Sequence, residues 1–169
     1  GSMSTGGAAV HGQLVFATSN RRARRAFNAP FGGRGAARAY SLKDGSQLWE
    51  QLFDLESNCL PAICTAGPGG KTAVIVCLGS SPGQPRYKMP GVEPTGDHWN
   101  GRVVALEAQS GEILWSNDLP QWNAAAGAGN AAWSSAPQTP STGWNPPSVG
   151  ADGRVYAGWN VSGTLYVLE

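Results

Sequence analysis

The sequence predicts an all-β chain of repeated antiparallel four-stranded units, about two and three-quarters of them. Three observations predict it. The segment Gly101–Trp115, GRVVALEAQSGEILW, has a looser copy at Ala36–Trp49, AARAYSLKDGSQLW, and a third beginning at Gly163, GTLYVLE. The 24 Gly and 12 Pro punctuate short runs, as turns between many strands require. No stretch of helix length carries apolar residues at helical spacing between caps.

Each unit has the same order. A short segment leads, at Ala8–Val10, Leu60–Thr65 and Pro147–Val149. A first full strand follows at Gln13–Thr18, Thr72–Leu78 and Arg154–Trp159, and a second at Ala37–Leu42, Arg102–Leu106 and Thr164–Leu168. A tight turn holding Gly45 or Gly111 then leads into a strand that carries Trp, at Gln47–Phe53 and from Glu112 through Trp115. Val, Tyr, Leu and Ile dominate these runs with partial alternation, which suits half-buried antiparallel strands. Leu42, Leu106 and Leu168 recur roughly 60 residues apart, where a four-stranded repeat usually takes about 40. The surplus falls in connections at 19–35, 79–100 and 119–146. Residues 1–3, Gly-Ser-Met, read as an expression remnant with no secretory signal behind it. Residues 4–169 read as a single repeat domain, with units at about 8–54, 60–119 and 147–169.

Gly101-Arg102-Val103-Val104-Ala105-Leu106-Glu107-Ala108, then Ser110-Gly111 and Trp115, match almost fully the pattern G-x-L/V-x-A-L-D/E-A-x-T/S-G-x-x-L-W. Gly163–Glu169 matches its first half. Ala39-Tyr40-Ser41-Leu42, Asp44-Gly45 and Trp49 match with a turn two residues shorter, and Gly150–Tyr156 fits G-x-D-G-x-V-Y. The pattern resembles the repeat of the pyrroloquinoline-quinone-type β-propellers. The resemblance implies four-stranded blades of a partial propeller. It also implies that Trp49 and Trp115 dock between blades, each on its neighbour's turn. A Trp there buries about 150–250 Å² and needs its indole N–H satisfied. Gly45 and Gly111 can take the positive φ that a short turn often requires. Trp115→Ala is expected to cost on the order of 3–5 kcal/mol.

Propellers close rings of four to eight blades. The chain is therefore expected to be a piece of a longer propeller, to complete a ring with copies of itself, or to form a compact non-propeller variant. Its partners are then further blades, from a parent chain or from copies, and the edge of Thr164–Leu168 is expected to be covered by something else.

Candidate chemistry is sparse. Trp122, Trp133 and Trp144 lie among Asn, Gln, Ser, Gly and Pro in the uncharged region 119–151. Rings among amides and hydroxyls suit stacking of a sugar or planar cofactor, while the plainer reading packs them on blade faces. Arg21, Arg22, Arg24 and Arg25 form the run RRARR, with Arg34 nearby. It is a candidate polyanion contact or a solvated basic loop; with Phe27 its one interleaved aromatic, it is a weak nucleic-acid signal. The net charge of +1 argues against a general nucleic-acid or acidic-membrane binder, and no apolar run has the roughly 20 residues that span a bilayer. Cys59, Cys64 and Cys77 form no zinc pattern and read as small buried hydrophobes. If PAIC and TAVIVCL pair as a hairpin, one register sets Cys64 opposite Cys77. Asp97 and His98 read as a solvated loop pair sooner than a metal site, and His11 has no partner in sequence. Asn160-Val161-Ser162 fits a glycosylation acceptor, a motif common by chance.

Two functions follow. One is a non-catalytic repeat module that binds protein or saccharide, with no cofactor and no metal. The other is part of a quinone-dependent alcohol or sugar dehydrogenase, which the resemblance would equip with pyrroloquinoline quinone and Ca²⁺. Against the second, the chain lacks the family enzymes' adjacent Cys pair, and no catalytic residues are recoverable. The resemblance also implies an extracytoplasmic location.

Overall fold

The computed structural model describes residues 2–3, 7–21, 34–57, 59–65, 67–80, 98–123, 145–159 and 164–169. These residues form three antiparallel sheets, and one 3-10 turn at Pro68–Gly70. The first sheet holds β1 (Ser2–Met3), β2 (Ala8–His11), β3 (Leu14–Arg21), β4 (Arg34–Ser41) and β5 (Gln47–Leu52). Its path runs β1-β3-β4-β5, with Ser2 opposite Arg21 and Met3 opposite Asn20, and β2 pairs with the same strand β3, from Ala8 opposite Ala17 to His11 opposite Leu14. The second sheet runs in chain order through β6 (Ala62–Cys64), β7 (Ala73–Ser80), β8 (His98–Glu107) and β9 (Ile113–Asn123). The third holds β10 (Ser148–Val149), β11 (Val155–Trp159) and β12 (Thr164–Leu168). The short leading strands touch, β6 against both β2 and β10. This is the arrangement of propeller blades around an axis.

The second blade is the centre of the core. Residues 73–79 of β7 are buried without alternation, because the first blade covers one face of this sheet and the third covers the other. A near-continuous apolar run, AVIVCL, is what two-sided burial demands. Val103, Val104, Ala105 and Leu106 of β8 are equally dry.

The turns correct one expectation. Leu42 does not correspond to Leu106. It lies in the turn, where Ala108 lies in the second blade. The two turns are of equal length: Ser41 donates its N–H to Ser46 and Glu107 to Glu112, while Gly45 and Gly111 donate back to Ser41 and Glu107. Both glycines sit in the left-handed region, at φ of 73° and 75°. A shared irregularity follows. The register slips between Ala39 and Tyr40 and again between Ala105 and Leu106, so that Ala39 opposes Trp49 and Ala105 opposes Trp115. Leu48 and Leu114 are the extra residues of these bulges, which swing each Trp onto the face turned toward the next blade.

Two further boundaries move. β9 runs past Pro120 to Asn123, so Trp122 belongs to a strand opposite Trp99 and not to the uncharged loop. His98 likewise opens β8 opposite Asn123. The PAIC and TAVIVCL segments do pair, with Cys64 opposite Ala73, which separates Cys64 from Cys77.

Candidate functional site

The seam between the first two blades is built from Trp49 and the turn after β8. The ring of Trp49 lies over Gly111, so closely that a β-carbon there would come within 2.7 Å of two ring carbons. Its Nε1–H donates to the carbonyl oxygen of Ala108 at 3.0 Å. Phe16 of β3 backs the same ring, with centroids 6.1 Å apart. The turn beneath is set by its own side chains. Glu107 accepts the Ser110 N–H at 2.6 Å, and the Ser110 hydroxyl accepts from the Glu112 N–H. The hydrogen bond to Ser110 holds the Glu107 carboxyl below its ordinary range. In the first blade Asp44 accepts from Ser46 twice, with the same effect on Asp44.

Behind the seam the chain crosses from blade to blade through residues 53–57. Gly35 donates to Leu55 and accepts from Phe53, and Glu56 pairs with Gly79. Asn20 Oδ1, fully buried, accepts the Ser57 N–H at 2.8 Å. Arg102 on β8 binds Asp54 in the crossing and Asp118 on β9, which raises the affinity of its guanidinium for its proton. Arg38 similarly joins Glu50 of β5 to Ser19 of β3.

Trp115 occupies the equivalent place in the second blade. Its ring lines a cavity of about 460 Å³ between the second and third blades, with Cys64 and Ile75 on one side and Arg154, Val155 and Leu168 on the other. At the mouth Arg154 bridges Asp152 and Glu169. The third blade then presents an open face. Leu165 and Val167 of β12 are 62% and 49% exposed. The matching residues in the other blades, Ala37 and Ala39 of β4 and Val103 and Ala105 of β8, are buried. Leu165 and Val167 thus form an apolar surface at the place where the other blades bury theirs. The sequence points at the edge of β12 and not at this face; aligning the motifs from their final Leu or Tyr pairs Leu165 and Val167 with buried positions of the other blades, but their exposure is visible only in the structure.

The other candidates fall elsewhere. Trp122 is on β9, while Trp133 and Trp144 lie outside the described residues. Arg21 ends β3 opposite Arg34, while Arg22, Arg24 and Arg25 lie outside the described residues, as do Asp97 and the Asn160–Ser162 motif. His11 pairs in backbone register with Leu14 on the blade-one hairpin.

The repeated strand–turn–Trp grammar, now seen as blades, agrees with a family model described as outer membrane protein assembly factor BamB, which matches residues 33–126. The chain belongs to this family. Its members are PQQ-like repeat β-propellers, and the blades described above are of that type. Among solved structures, the crystal structure of BamB from Moraxella catarrhalis matches at 15% identity with a TM-score of 0.30, over 96% of this chain and 52% of that one. The chain therefore spans about half the length of that BamB structure. No curated protein matches the chain.

Among the described residues, no three His, Cys, Asp or Glu side chains come together in a metal-binding group. The three cysteines are separate in sequence and buried. No helix among the described residues is long and apolar enough to cross a membrane.

Proposed function

We propose that this chain is a non-catalytic binding scaffold of the BamB family, acting in protein assembly outside the cytoplasm. The observation that carries the reading is the open forward face of the third blade. Leu165 and Val167 sit where the first two blades bury the equivalent side chains against a neighbour, and β12 offers an extended strand beside them. An apolar face next to a β-edge that is unpaired among the described residues suits a partner that adds a further sheet or strand, with backbone pairing for affinity and apolar contact for fit. The family name, an assembly factor, supports protein as the class of partner. The partner is a further blade, from the same polypeptide or from a second copy.

The test is a double substitution, Leu165→Lys with Val167→Lys. Both side chains are exposed, so the melting temperature should change little. Light scattering should show the wild-type chain associating, or retaining a co-expressed blade, and the variant losing that association. Equal masses and equal retention for the two proteins would refute the reading.

A further inference from the structure

Cys59 lies at the crossing between the first and second blades, held from both sides. Its carbonyl oxygen accepts from the Thr18 hydroxyl of β3. Its thiol donates to the carbonyl oxygen of Cys77 on β7 at 3.6 Å. Both residues are almost fully buried, at 1% and 0% exposure. The Cys59 sulfur thus rests directly on the backbone of Cys77, which brings the two residues into contact at the crossing. The third cysteine is elsewhere: Cys64 opposes Ala73 and faces the cavity beside Trp115.

We propose that Cys59 and Cys77 form a redox pair, which closes into a disulfide when the chain folds in contact with a disulfide oxidant. The reaction is thiol–disulfide exchange. The thiolate of one cysteine attacks the external disulfide and forms a mixed disulfide, releasing one external thiol. The second cysteine, as thiolate, attacks the protein-bound sulfur of that mixed disulfide. The Cys59–Cys77 bond forms and the second external thiol leaves. Two protein thiols are oxidised, one external disulfide is reduced to two thiols, and the two protons pass to the departing thiolates.

Folding sets the timing. Burial raises the Cys59 thiol to about 11 and Cys77 well above its ordinary value, and a charge on Cys59 would raise Cys77 further. The thiolate is the attacking species, so the folded dithiol is nearly inert near neutral pH. Exchange takes place before the blades close over the pair. Folding also sets the choice of partner. In an unstructured chain the short loop from Cys59 to Cys64 closes more readily than the longer one from Cys59 to Cys77. Only the crossing segment laid against β7 favours Cys77.

The reduced, denatured chain is refolded in a mixture of oxidised and reduced glutathione, unfolded in an alkylating agent, and mapped by mass spectrometry. One cross-linked peptide joining Cys59 to Cys77 is expected, with Cys64 alkylated and the chain lighter by two hydrogens before alkylation. Cys64→Ser should give the same link in the same yield. Three alkylated cysteines, or any link that includes Cys64, overturns the proposal. A matched experiment adds glutathione disulfide only after folding, and the reduced chain should then stay reduced. Rapid cross-linking of the folded chain would overturn the assigned timing.

Discussion

The Trp49 indole nitrogen donates to the Ala108 carbonyl, 59 residues further along the chain, and joins two sheets that share no strand. The ring covers Gly111 while the nitrogen is satisfied, so one side chain supplies both contact area and a hydrogen bond to the seam. Trp49→Ala should destabilise the chain by about 3–5 kcal/mol, read from urea unfolding. Trp49→Phe should recover part of that loss, because it keeps an aromatic ring while giving up the hydrogen bond and the area of the second fused ring.

Gly111 and Gly45 separate two effects that usually come together. Both have positive φ, so alanine at either costs about 1–2 kcal/mol for the backbone alone. Gly45 has nothing within 4 Å of a new β-carbon, whereas Gly111 has the Trp49 ring at 2.7 Å. Gly111→Ala should therefore cost about 1–3 kcal/mol more than Gly45→Ala. In a Trp49→Ala background that extra cost should vanish, which a double-mutant cycle measures.

Trp115→Ala should cost less than Trp49→Ala. Trp115 lines a cavity, where Trp49 lies sealed on a turn. Equal losses in the two variants would contradict this ordering. A partner that fills the cavity should bring the Trp115 loss up to that of Trp49.

Acid should loosen the turns. The carboxyl of Glu107 is lowered from 4.5, chiefly by its hydrogen bond to Ser110. A group depressed on folding contributes stability above its unfolded pKa and loses it as pH falls through the folded value. The contribution of Glu107 should thus be complete at neutral pH and fade below pH 4.5. Glu107→Gln should flatten that part of the stability profile, and Ser110→Ala should move the Glu107 titration upward in an NMR measurement.

Asn20→Ala should destabilise by about 1–3 kcal/mol, because the buried Ser57 N–H would lose its acceptor. Amide exchange at Ser57 would accelerate.

Much of this fold was legible because its determinants are local and repeated. The turn glycines, the Val- and Leu-rich strands and the Trp after each turn are set within about a dozen residues. The matching of the turns was misread because Leu42 and Leu106 are the same residue type, yet one is a turn residue and the other a core residue. Bulges at Leu48 and Leu114 leave no mark in composition. The reach of β9 through Pro120 was hidden because a proline argues against a strand and is tolerated chiefly at an edge, where β9 lies. The meeting of Cys59 with Cys77 depends on how one blade crosses into the next, and no periodicity encodes that. The exposure of Leu165 and Val167 likewise depends on what stands beside the third blade.

The bulges give the molecule a grain. Each one turns its tryptophan toward the following blade and never toward the preceding one. Loss of the first blade would take Trp49 away and leave the surroundings of Trp115 intact. Loss of the second would bare Trp49 as well as remove Trp115. Removal of the second blade therefore bares a tryptophan of the blade before it, whereas removal of the first carries its tryptophan away and bares the apolar face of β7 instead.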